Sequence, residues 1–206
     1  MMFRLRRDES RLGDALAECA GHLATAAQHL AASLNVDPEA RSASVRALQE
    51  TDRAAEAAAH GVLRGLAASF VTPFDRADIF RLSWAMRRAT ARTAAVGDTL
   101  EVLRLGELPT RTAELVQHVV RATEIIATAV PRLGDPGSLA GSWVDLTVLV
   151  KQAGQVHRRL VADITSSMHD PAQLLRHAEV ATSQRRLIDA LEAVSDALQT
   201  VVVTES

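Results

Sequence analysis

Apolar residues recur at alternating three- and four-residue steps through six long segments of this 206-residue chain, and that spacing constrains the fold most. Such a stripe runs along one side of an α-helix, which must bury it against other helices. Leu12, Leu16, Cys19, Leu23, Ala26 and Leu30 form the first stripe, closed by Asn35-Val36-Asp37-Pro38. Val45, Leu48, Asp52, Ala55, Ala59, Val62 and Leu66 form the second, followed by the turn Thr72-Pro73-Phe74-Asp75. The third runs from Ile79 through Met86 and Val96 to Leu103 and ends over Gly106 to Pro109. The fourth, Leu115 to Ala129, stops at Pro131; the fifth carries Leu149, Ala153, Val156, Leu160 and Ile164. Asp170-Pro171 opens the sixth, which extends from Leu174 to Val202. Short connections between segments of this length force antiparallel neighbours. The expectation is an all-α protein of six long helices, three in residues 1–105 and three in residues 106–206.

Composition agrees with that reading and narrows the function. Ala, Leu, Arg and Glu dominate, aromatics make up 3% of the chain, and there is no Tyr. Those four are strong helix formers, whereas strands favour β-branched and aromatic residues. A formal net charge of −2 offers no basic footprint for nucleic acid. Nearly all the cationic charge is Arg, with Lys151 the only lysine. The start, Met1 to Arg7, is basic but lacks the apolar stretch of a secretory signal, and no window is apolar enough to span a membrane. The lone Cys19, on an apolar stripe, is expected to be a small core residue. These features lead us to expect a bacterial cytoplasmic protein.

Two features depart from a plain bundle. Asp52 occupies a stripe position where Leu or Ala is expected, and Glu56 and His60 follow at i+4 and i+8 on the same face. A carboxylate facing a core needs a partner. Either the stripe rolls slightly and Asp52 pairs with an Arg at the bundle edge, or Asp52 and Glu56 are oxygen ligands of a metal with His60 nearby. The second feature is the run Phe70-Val71-Thr72-Pro73-Phe74-Asp75-Arg76-Ala77-Asp78-Ile79. Pro73 sets an extended approach, Asp75 can cap the helix, and Asp78 lies near the positive end of its dipole. Two aromatic flanks are more than capping requires.

That run resembles the F-[IV]-T-P-[FI]-D-R-x-D-I signature of the PhoU-like proteins, the branch paired with low-affinity, Pit-type phosphate transporters. Family members carry an E-x-x-x-D pair whose second acid lies fourteen residues before the signature Phe, with a His four residues later. Asp52, Glu56 and His60 occupy those places, with the acids exchanged. The Asp170-Pro171 start and Val201-Val202-Val203 ending are also similar to the family's last helix. The resemblance spans essentially the whole chain, with its specificity between Asp52 and Ile79. It implies two three-helix bundles, a role in phosphate transport or its signalling, and multinuclear metal sites on acidic motifs.

The chain departs from the family in those motifs. An Asp-Asp pair is expected where Arg87 and Arg88 stand, and helix five has no Asp or Glu between Leu146 and Ala162. In helix six Arg185 replaces the first acid, while Asp189 and Glu192 remain. A fixed positive charge repels a divalent cation. Asp52, Glu56, Asp189 and Glu192 are thus the remaining candidates for iron, zinc or manganese, and Arg87 or Arg88 is a candidate partner for Asp52 or Glu56. The turn Thr72, Pro73, Phe74, Asp75, Arg76 and Asp78 is the candidate docking surface.

No catalytic constellation is evident: there is no phosphate-binding Gly-rich loop, no grouped nucleophile and base, and no Glu-x-x-His pair of a di-iron bundle. Trp84 and Trp143 fall on or beside apolar stripes, as core or subunit-contact residues. The expected function is a non-enzymatic accessory or regulator that docks on a phosphate transporter or its sensor at the cytoplasmic membrane face. A metal-binding bundle and a purely structural dimer are the alternatives. Ala-rich helix faces also make a homo-oligomer plausible.

Overall fold

The structure is a computed structural model that describes residues 2–34, 36–69, 72, 74–134 and 139–204. Six α-helices carry the six stripes: α1 (Met2–Ala32), α2 (Pro38–Ala68), α3 (Arg76–Leu103), α4 (Thr110–Ala129), α5 (Ala140–Ser167) and α6 (Pro171–Thr204). No strand occurs among the described residues. The protein is all-α.

Local chemistry accounts for most of the helix ends. Three aspartates cap free amides: Asp37 accepts from Ala40 N at 2.9 Å, Asp75 from Ala77 N at 2.7 Å, and Asp170 from Ala172 N at 3.0 Å. Proline follows Asp37 and Asp170 in the sequence, where its missing N–H costs nothing and its fixed φ suits a first turn. Pro131 cannot donate an i→i−4 bond, so α4 ends at Ala129 and tightens into the 3-10 turn Val130–Arg132. α3 ends at Arg104, which adopts the left-handed conformation at φ 47°.

Two arginines serve as C-terminal caps. Arg41 is only 3% exposed; its Nε donates to Ser33 O at 3.1 Å, and its two terminal nitrogens donate to Leu34 O and Leu105 O. Arg76 donates to Ser69 O at 2.7 Å and to Leu66 O. Each guanidinium therefore satisfies carbonyls that a helix end leaves without partners.

α1, α2 and α3 pack against one another as a three-helix bundle. In the second half α5 packs against both α4 and α6, while α4 turns to α1 and α6 to α3. The two halves consequently share one apolar core drawn from all six helices. Leu12, Leu23, Leu48, Met86, Leu115, Ile126 and Leu146 are among its fully buried members, each contributing roughly 1.5–3 kcal/mol on leaving water. Leu160, Ile164 and Ala181 form a small separate cluster between α5 and α6. A Cβ built on Gly97 would stand 2.7 Å from Leu48 Cδ1, so α2 and α3 approach to a distance that glycine permits. Among the described residues, no helix is long and apolar enough to cross a membrane.

Candidate functional site

The second stripe rolls by one residue, as the first of the two readings of Asp52 expects. Thr51 is buried and returns its hydroxyl to Ala47 O at 2.8 Å, leaving Asp52 at the edge of α2 beside α3. There Arg87 Nη1 donates to Asp52 Oδ1 at 2.9 Å, and its Nη2 lies 3.6 Å from Glu56 Oε2. One guanidinium bridges both acids. Next to them Gln49 Nε2 donates to Asp98 Oδ1 at 2.9 Å.

Burial is the largest influence on Asp52 and raises its carboxyl above the usual range. Arg87 opposes the rise, while the neighbouring Glu56 and Asp98 charges add to it. The ion pair is thus a partial compensation for a half-buried carboxylate in acidic company. His60, exposed one turn beyond Glu56, lines with Trp84, Arg87 and Arg88 a cleft of about 260 Å³.

The other candidate acids form a separate cluster. On α6, Arg185 pairs with Asp189 one turn on, and its Nη2 lies 3.4 Å from Glu192 Oε2. Gly154 of α5 lies opposite, where a Cβ would make ordinary contact with Arg185 Nη1 at 3.7 Å. No ion pair or hydrogen bond joins this cluster to Asp52 and Glu56 among the described residues. In both places an arginine occupies the acids. No group of three or more His, Cys, Asp or Glu is gathered for a metal among the described residues. The arrangement fits a guanidinium in each pair and does not fit a multinuclear metal cluster.

The turn before α3 is tied together by its own side chains. Thr72 Oγ1 donates to Phe74 O at 2.8 Å, and the Phe74 ring is buried in the core. Asp75 caps α3, Arg76 holds the last carbonyls of α2, and Asp78 is 7% exposed and pairs with Arg81 at 2.6 Å. Asp75, Arg76 and Ala77 are its solvent-facing residues. Pro73, Phe70 and Val71 lie outside the described residues.

Sequence reasoning missed two features and left a third open between core and subunit contact. Arg41 gave no sign of burial, because its partner Leu105 O lies 64 residues away. Asp98 joined the acidic group from the adjacent helix. Trp84 proves exposed, stacked on Phe80 with ring centroids 6.1 Å apart, while Trp143 is half-buried against the core. The signal for the aromatic pair was available: Phe80 and Trp84 fall between the stripe positions Ile79, Leu82 and Met86. Compared with known proteins, the chain matches no protein-family model and no curated protein.

Proposed function

We propose that this chain is a non-enzymatic accessory or regulatory protein of phosphate transport, docking on a transporter or its sensor at the cytoplasmic membrane face. The observation that carries this reading is the run Phe70 to Ile79 with Asp52, Glu56 and His60 at the family's spacing before it, and the Arg87 guanidinium bridging Asp52 and Glu56 marks where the chain departs from the family. In the PhoU-like proteins that the chain resembles, the position of Arg87 holds an acid. An internal cation there supports a divergent member whose docking does not depend on a metal. The turn from Thr72 to Asp78 is the proposed docking surface, with Asp75, Arg76 and Ala77 exposed at the start of α3.

The test is a pull-down of the tagged full chain from native membranes at high and low phosphate, with and without a chelator, read by mass spectrometry. Recovery of a phosphate transporter or sensor kinase, unaffected by the chelator, is the expected result. Recovery of the protein alone overturns the reading.

A second reading has one observation in its favour: the Glu56 and Asp98 carboxylates lie close enough to Asp52 for their charges to add to the rise of its carboxyl. That is the start of an oxygen ligand set for iron, zinc or manganese in a metal-binding bundle. Elemental analysis after loading decides it, since stoichiometric metal lost in an Asp52→Ala, Glu56→Ala variant would favour this reading over the first.

A further inference from the structure

The face shared by α3 and α6 combines features that the rest of the surface holds separately. Phe80 and Trp84, one helical turn apart on α3, are 43% and 48% exposed and lie nearly parallel, at 17°. Phe80 and Trp84 are two of the chain's six Phe and Trp residues. Beside it runs a groove of about 670 Å³ between α3 and α6. Ala77, Ala85, Ala193 and Ala197 line that groove, and their small side chains leave room for a bulky one.

The same groove carries Arg88 on α3 and Asp196 on α6. Neither side chain has a hydrogen bond or ion pair among the described residues. One patch thus presents a knob, a recess, a free cation and a free anion.

We infer that this face is the contact between two copies of the chain, related by a twofold axis passing between the aromatic ridge on α3 and the α6 wall of the groove. A twofold contact requires a self-complementary patch, because each surface meets its own image. Here the aromatic ridge of one copy enters the alanine-lined groove of the other. Arg88 of each copy then faces Asp196 of its mate. Trp and Arg are also the side chains that most often dominate contact energy.

The α2–α3 cleft beside His60 shares Trp84 and Arg88, but its acid Glu56 is already taken by Arg87, and two further grooves lack the combination. The one between α4 and α5, about 540 Å³, holds no aromatic, and its Arg132 already donates to Thr128 O and Ser142 Oγ. The one between α5 and α6 is flanked by Arg185, which its own acids occupy.

Analytical ultracentrifugation of the full chain over a wide concentration range tests the inference. The expected species has twice the 22.1 kDa mass of one chain. Trp84→Ala shifts it to monomer, and Arg88→Glu or Asp196→Arg alone weakens association at least about tenfold. The Arg88→Glu, Asp196→Arg double variant restores it, because the swapped charges again meet across the twofold. Far-UV circular dichroism confirms that these surface variants fold. A monomer at every concentration overturns the inference and leaves the ridge to a different protein. A dimer indifferent to Trp84→Ala and both charge reversals, or a double variant weaker than either single, overturns it equally.

Discussion

At the scale of single residues, the sign of the Asp52 perturbation determines what its ion pair does for the fold. Burial raises the folded-state carboxyl above its unfolded value, and Arg87 only partly reverses this. The native state therefore holds the Asp52 proton more tightly than the unfolded chain does. By linkage, Asp52 contributes stability that is fully present below the unfolded value, about 3.9, and lost as pH rises through the higher folded value. At neutral pH the ionised group carries its burial cost. Asp52→Asn removes the charge while keeping an oxygen to accept from Arg87. The variant should be at least as stable as the parent at neutral pH, with the difference closing as pH falls below about 4. Urea unfolding across that range checks it; a variant clearly weaker at neutral pH would mean that attraction to Arg87 outweighs burial. Cys19 on α1 shows the same physics: burial pushes its thiol up to about 11, Glu18 adds to the rise, and a backbone hydrogen bond opposes it. It is therefore held as an unreactive thiol of the core.

At the scale of helices, the ends show which features a sequence reveals. The Asp37-Pro38 and Asp170-Pro171 starts and the Pro131 stop were legible because caps and breaks act within a few residues. The stripes located the buried faces for the same reason. Which helix covers which face was not legible, since a stripe says that a side is buried and not against what. Asp52 was ambiguous because a strict three-four repeat drifts against 3.6 residues per turn, enough to exchange Thr51 for Asp52. Arg41 was hidden because its partners are backbone carbonyls, which leave no mark in composition. Removing its guanidinium strands the carbonyls of Ser33, Leu34 and Leu105 together. Arg41→Met should cost about 2–4 kcal/mol, several charge-assisted bonds at ~1.5–3 kcal/mol each offset in part by the apolar stem. An unchanged urea midpoint would mean that water replaces the arginine at no cost. The end of α3 carries the opposite case. Arg104 has a positive φ and no side-chain bond in return among the described residues. Arg104→Gly should raise stability by about 0.5–1 kcal/mol, seen as a higher melting temperature; a lower one would show that the unfolded-state entropy of glycine exceeds the relief of strain.

At the scale of the molecule, the division of the chain into residues 1–105 and 106–206 is one of connectivity, and the packing crosses it. α1 packs on α4 and α3 on α6, and one apolar core includes side chains from both halves. Separating the halves would expose faces of α1, α3, α4 and α6 together. Neither half should then persist once the other has unfolded, and unfolding should be a single cooperative event. The chain supplies its own reporters, since Trp84 lies on α3 and Trp143 on α5. Trp143→Phe leaves an indole on α3, where that helix meets α6, and Trp84→Phe leaves one on α5 against the shared core. Titrated with urea at one protein concentration, each single-tryptophan variant should give a fluorescence transition that coincides with its own loss of helical circular dichroism. A fluorescence transition that precedes or trails the loss of helix would mean that the closed bundle of α1, α2 and α3 is an autonomous unit. The α5-centred half would then be an attachment to it. Coincidence in both variants would show that the Arg87 and Arg185 clusters, one in each half, belong to one cooperative unit. A docking partner that engages one face would then sense the state of the whole molecule.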